Sequence, residues 1–217
     1  MARLKAAVLI SGRGSNLRSL IEACAGPDFP AEIVAVLCNE PEAPGLVHAR
    51  RAGIPIAVID HRAFAERTDF DGALNQAIRA AGADLVCFAG FMRLVTDDFV
   101  RTWRDRLINV HPSLLPAFRG LNTHARAIEA GVRFAGCTIH FVRAEMDTGP
   151  IIAQAAVPVH PGDTPDSLAA RVLAAEHRLY PLALRLIGEG RVRVVNETVR
   201  IDGMKVPEGV LISPLAE

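Results

Sequence analysis

The chain has 217 residues, half of them hydrophobic, enough to bury a sizeable core in one large domain or a domain with an appendage. Its 24 basic and 24 acidic residues cancel to a formal net charge of zero, and a nucleic-acid-binding surface usually brings a basic excess, so no nucleic-acid partner is implied. The apolar run Ala6–Ile10 is too short for a signal segment and no run reaches the roughly 18 residues of a membrane span, so a cytoplasmic protein without a membrane partner is expected.

In chain order, Lys5 to Ile10 reads as a buried strand and runs into the glycine-rich turn Ser11-Gly12-Arg13-Gly14-Ser15-Asn16. Leu17, Leu20, Ile21 and Cys24 follow at helical spacing. Strand, glycine turn and helix together aim free backbone N–H groups at an anion. Ser15 or Asn16 is expected to cap the helix, and either could also bind phosphate. Position 17 is Leu, so the third glycine of a dinucleotide fingerprint is missing and a monophosphate is the better ligand. Ile33–Cys38 and Pro55–Ile59 read as strands flanking a helix over Glu42–Ala52 that Gly53 ends. After the polar connection His61–Arg67, a helix runs from about Asp69 to Ala81, followed by a strand over Asp84–Ala89. Arg93, just past it, is either a snorkelling surface residue or the wall of a cleft. Thr96 caps a short helix through Trp103. Four strand–helix units in succession argue for an α/β fold with a mostly parallel sheet and right-handed crossovers.

The next strand, Leu107 to Val110, runs into a loop stiffened by Pro112 and Pro116. Asn109 and His111 have the same parity, so an amide and an imidazole leave one side of an extended chain, at the strand edge where open α/β sheets place ligands. Cys137–Val142 and Ile151–Val159 read as an antiparallel pair around a loop carrying Asp147, Gly149 and Pro150. Thr164–Gly188 is one long amphipathic helix, capped by Asp163 or Thr164 and expected to kink at Pro181. Val192–Val195 and Thr198–Ile201 form a hairpin over Asn196-Glu197, and the tail with Pro207 and Pro214 reads as loosely held. A lone Asp in such a loop is by default a surface turn residue. Within reach of His111, Asp147 would favour the imidazolium, and an imidazolium beside an amide gives two donors for the oxyanion of an acyl transfer. There is no serine elbow, and Cys24, Cys38, Cys87 and Cys137 lack metal or redox spacing and read as buried thiols. Direct attack by a substrate amine fits better than a covalent acyl-enzyme. His124 and His140 are further imidazoles nearby, and His140 reads equally as packing residue or catalytic group.

Six stretches, SGRGSN, AGFMRLV, NVHPSLLP, GLNTH, GCTIHFV and DTGPIIAQ, taken in that order, resemble the phosphoribosylglycinamide formyltransferase family, from about residue 4 to about residue 200. The resemblance implies one formyltransferase domain over 1–217, with a Rossmann-like half to about 108 and a catalytic, folate-binding half from about 109. It implies transfer of a formyl group from the co-substrate 10-formyltetrahydrofolate to the amine of glycinamide ribonucleotide, with no metal. Carried onto this chain, Asn109, His111 and Asp147 fall on the catalytic positions. Gly14, Ser15 and Asn16 fall on the phosphate loop, and Glu176 on the ribose contact. Arg67, Met92, Arg93, Leu94, Val95 and Asn109 fall on the folate positions. Asn122 departs from the family, many members carrying His there, which bears only on a supporting role. The expected partners are these small molecules, and monomer and homodimer both stay open. A formyltetrahydrofolate hydrolase and a non-catalytic phosphate binder are the alternatives. Formyl transfer to initiator tRNA is weaker, since it usually needs an added nucleic-acid-binding domain.

Overall fold

The structure, a computed structural model, describes residues 2–206 and 208–214, so Pro207 lies outside it. Its centre is a seven-stranded sheet in the order β3-β2-β1-β4-β5-β6-β7. Those strands are β1 (Leu4–Ile10), β2 (Ala31–Cys38), β3 (Ile56–Val58), β4 (Leu85–Phe88), β5 (Leu107–His111), β6 (Phe134–Phe141) and β7 (Ile151–Pro158). The first five pair parallel, and β5–β6 and β6–β7 pair antiparallel, so the expected antiparallel pair joins the parallel half at β5.

Parity on β1 shows how the sheet is covered. Ala6, Val8 and Ile10 pack with Leu17 and Leu20 of α1 (Ser15–Cys24) and with Leu168, Val172 and Tyr180 of α6 (Pro165–Gly188). Ala7 and Leu9 face the other way, against Phe70, Leu74 and Ile78 of α3 (Arg67–Ala80) and Phe99 of α4 (Asp97–Thr102). A strand buried on both faces must be apolar throughout, which is why β1 reads as a continuous run rather than an alternation.

Three boundaries differ from the expectation. The second helix, α2 (Leu46–Arg51), starts four residues late. Pro41, Pro44 and Gly45 fill the stretch before it, and turn bonds such as Ala43 N–H to Glu40 C=O replace helical ones. A short helix, α5 (Thr123–Glu129), follows the proline-rich connection and was not anticipated. Neither Ser15 nor Asn16 caps α1: Gly14 is the N-cap, at φ 67° and with no side-chain cap bond. Elsewhere Thr164 caps α6 in a reciprocal box with Ser167, and the helix runs on through Pro181. The hairpin β8 (Val192–Val195) and β9 (Thr198–Ile201) forms a separate two-stranded sheet. No helix among the described residues is long and apolar enough to cross a membrane.

Candidate active site

The turn after β1 is shaped by two glycines in contact. A Cβ on Gly14 would lie 2.8 Å from Gly45 Cα, and one on Gly45 would lie 2.6 Å from Gly12 O. Gly45 N–H also donates to Gly12 C=O at 3.0 Å. The close approach leaves the uncapped N-terminus of α1 at a cavity of about 420 Å³, lined by the whole turn from Ser11 to Asn16. Free N–H groups and the helix dipole there suit a compact anion. Met92, Arg93 and Gly90, from the loop after β4, line the same cavity, as do Asn39 and His61 after β2 and β3. Ser11 ties two of these loops together: its Oγ donates to Asn39 Oδ1 at 2.5 Å and accepts from Met92 N–H at 2.8 Å.

Asn16, 7 % exposed, turns its amide away from the anion position and donates to Glu176 Oε2 at 2.7 Å. Its own Oδ1 is buried without a partner. Burial pushes the Glu176 carboxyl above its usual range, against the opposing pull of the Asn16 hydrogen bond. Arg67 is exposed at the start of α3 and outside the cavity lining. Leu94 is exposed, and Val95 packs against the core cluster of α3 and α4.

The second part of the site gathers around β5. Asn109 lies directly opposite His140 in the antiparallel ladder, so the two side chains share a face. His140 Nδ1 is 2.9 Å from Phe141 O, a pure acceptor, so that nitrogen carries the proton. Burial lowers the His140 pKa and keeps the ring neutral, leaving Nε2 to accept from Asn109 Nδ2 at 3.4 Å. The bland alternative for His140 thus gains a specific content: it fixes which end of the Asn109 amide is the donor, and one N–H stays free. Two residues on, His111 Nδ1 lies 3.3 Å from Asp147 Oδ2, in surroundings where the side chains are 6 % and 9 % exposed. His111 Nε2 lies 3.0 Å from Phe118 O. Both ring nitrogens therefore face acceptors when the ring carries both protons.

Asp147 sits in a left-handed conformation, φ 55°, and its Oδ2 accepts from Gly120 N–H at 2.8 Å while Oδ1 lies 3.8 Å from His140 Nε2. The loop bearing it crosses so close to β6 that a Cβ on Gly149 would lie 1.7 Å from Phe141 O. On the other side, Thr138 Oγ1 donates to Ser113 O at 2.7 Å and accepts from Leu115 N–H at 3.1 Å, pinning the proline-rich loop to β6. Sequence reasoning missed Gly45, Gly120, Ser11 and Thr138. Only the Pro44-Gly45 pair carried a local signal; the others act through partners more than twenty residues away.

Asn109, His111 and Asp147 are brought together, but they do not line the cavity at the turn. The two parts lie along one edge of the sheet: β1 leads into the turn and β5 carries Asn109, with β4 between them, Leu9 pairing with Phe88 and Phe88 with Asn109. Burial raises all four thiols, Cys24 to about 11 and Cys137 to about 12, which leaves no thiolate nucleophile. Among the described residues no group of His, Cys, Asp or Glu is placed to hold a metal ion.

Residues 4–184 match the family described as formyl transferase. The phosphoribosylglycinamide formyltransferase of Haemophilus influenzae is 41 % identical over 204 residues, 94 % of this chain and 96 % of that one. The trifunctional purine biosynthetic protein adenosine-3 of Gallus gallus is 50 % identical over 192 residues, 88 % of this chain, which spans only 19 % of that longer protein. The crystal structure of glycinamide ribonucleotide transformylase 1 from Symbiobacterium toebii superposes with a TM-score of 0.89 at 48 % identity, covering 92 % of this chain and 94 % of that one.

Proposed function

The chain belongs to the formyl transferase family, in its phosphoribosylglycinamide formyltransferase branch, and on that premise we propose that it moves a formyl group from 10-formyltetrahydrofolate to the amine of glycinamide ribonucleotide in purine biosynthesis. The observation that carries the reading is the pairing along one sheet edge of an uncapped helix N-terminus after β1 with the Asn109–His140–Asp147–His111 cluster on and around β5, two strands over. A substrate with a phosphate at one end and an amine at the other spans that gap. Gly14, Ser15 and Asn16 hold the phosphate through backbone N–H groups, and Glu176, already bonded to Asn16, reaches the ribose. Arg67 and the segment Met92–Val95, with Asn109, hold the folate.

The amine lone pair attacks the formyl carbon, and the carbonyl π electrons move to oxygen. The free N–H of Asn109 and an N–H of His111 stabilise that oxyanion. His111 Nε2 lies 3.0 Å from the Phe118 carbonyl, which gives way to the oxyanion as it forms. Asp147 holds the His111 ring in place through Nδ1 and, through water, passes the ammonium proton to the folate nitrogen as the bond from carbon to that nitrogen breaks. Products are the formamide and tetrahydrofolate. A coupled assay on wild type and His111→Ala tests this. The expected result is consumption of the formyl donor only with glycinamide ribonucleotide present, nearly abolished in His111→Ala. Release of formate at an equal rate without the amine would point to a hydrolase instead.

A further inference from the structure

We propose that Arg143 is a positioning residue for Asp147, held in place by the turn of the C-terminal hairpin; this rests on Asp147 being catalytic. Arg143 stands at the root of the 142–150 loop, and its side chain is 11 % exposed. The guanidinium is gripped from three sides. Nε donates to Glu197 Oε2 at 2.6 Å, Nη2 to Asp105 Oδ1 at 2.7 Å and Nη1 to Val142 O at 3.1 Å. Glu197 lies in the turn between β8 and β9, and its other oxygen is held by Arg104. Asp105 lies just before β5, the strand that carries Asn109 and His111.

The stem of Arg143 does the positioning, and it holds its place only while the guanidinium is anchored by Glu197, Asp105 and Val142 O. Gly149 presents a bare Cα to it: a Cβ there would lie 3.3 Å from Arg143 Cγ, on the side where the loop already crowds Phe141 O. Phe141 N–H closes the loop's base on Pro150 O at 2.9 Å. The loop is therefore fastened at its root and on its Gly149 flank, while Asp147, in between, holds a left-handed φ that costs energy unless its surroundings enforce it. Gly120 N–H and His111 engage the carboxylate from the front. Arg143 braces the loop from behind. An isolated ion pair at the surface would do little, but here two carboxylates from distant segments converge on one mostly buried cation. The arrangement also gives the hairpin a task, since two strands alone are marginal.

The test uses the full chain with Arg143→Met, which keeps a stem over Gly149 and removes the charge, and Glu197→Gln. Turnover and KM for both substrates, amide hydrogen exchange across 143–149 and thermal midpoints are measured together. Arg143→Met is expected to lower kcat about tenfold, short of the ~10²-fold that a 1 Å misplacement can cost. The KM for glycinamide ribonucleotide should stay within about twofold, and exchange in the loop should quicken, with only a modest fall in midpoint, because the two carboxylates left behind are about half exposed. Glu197→Gln should show the same pattern more weakly. Unchanged kcat and exchange in Arg143→Met would overturn the proposal. So would a loss of activity that tracks a fall in midpoint with both KM values rising, the mark of general destabilisation. If the wild type moves no formyl group to the amine, the failure belongs to the catalytic reading, and loop exchange still decides whether Arg143 braces the loop.

Discussion

At the turn after β1 the backbone is itself the binding group, whereas at the loop between β6 and β7 the backbone only carries a side chain to its place. The turn needs Gly14 and Gly45 to lack side chains, because their backbones touch. The loop needs Asp147 to have one, and spends contacts from Gly120, His111 and Arg143 to aim it. Backbone close approach makes the first, side-chain packing the second. Damage to the two should therefore separate: side-chain deletions at the loop strike turnover, and added bulk at the turn strikes binding.

The largest effect tests the loop. His111→Ala and Asp147→Ala are each expected to lower kcat by ~10²–10³, the usual loss when an oxyanion donor or its support goes, with KM values changed little. Steady-state kinetics checks this, and normal turnover in either variant would remove the oxyanion assignment. The converse test is Gly45→Ala. Its methyl group would meet Gly12 O at 2.6 Å, so the turn must shift. A rise of tenfold or so in KM for the phosphate-bearing substrate, ~1.4 kcal/mol of binding, is expected, with a stability loss of about 1–3 kcal/mol. A variant in which kcat fell and KM held would break the comparison.

The same contrast explains what could be read from the chain beforehand. The parallel half was legible because its signals are local: apolar runs, Gly53 as a stop, Thr96 as a cap. Asn109 and His111 were legible by strand parity, and the resemblance to the family supplied Asp147. What could not be read depends on register. That His140 lies opposite Asn109 follows from the β5–β6 pairing, which fixes a partner 31 residues away. Gly14 rather than Ser15 or Asn16 became the N-cap because its left-handed φ brings it against Gly45, a contact invisible along the chain. Asn16, expected at the phosphate, has its side chain taken by Glu176, 160 residues further along the chain, so its part there falls to the backbone.

Glu176 gives a smaller effect with two opposed readouts. Its carboxyl is raised by burial, so the folded state favours the protonated form. The stabilisation is then full below the unfolded-state value and lost as pH rises through the folded one. Glu176→Gln keeps an oxygen for the Asn16 amide and removes the charge. Its melting temperature should exceed that of the wild type at pH 7, and the gap should close as pH falls into the ordinary carboxylate range. The KM for glycinamide ribonucleotide should rise about three- to tenfold, ~0.7–1.4 kcal/mol, the net worth of one ordinary hydrogen bond. Melts across pH and initial rates measure both. A variant that gained stability without losing affinity would free Glu176 from the ribose.

Asn122 gives the smallest effect and sharpens the comparison on the catalytic side. It stands at the N-cap of α5 with φ 56° and ψ 34°, and its side chain makes no cap bond. Asn and His are both enriched in that left-handed region, so either satisfies the backbone there. Asn122→Gly should keep stability or gain slightly, since glycine adopts the conformation freely. Asn122→Ala should lose about 1 kcal/mol, or roughly 2–4 °C in melting temperature for a chain of this size. Turnover of Asn122→Gly and Asn122→His should stay within about twofold of wild type, because neither change displaces Gly120 N–H from Asp147. A tenfold fall in Asn122→Gly with stability intact would show the amide itself acting on the substrate, and would move this position from scaffold to site.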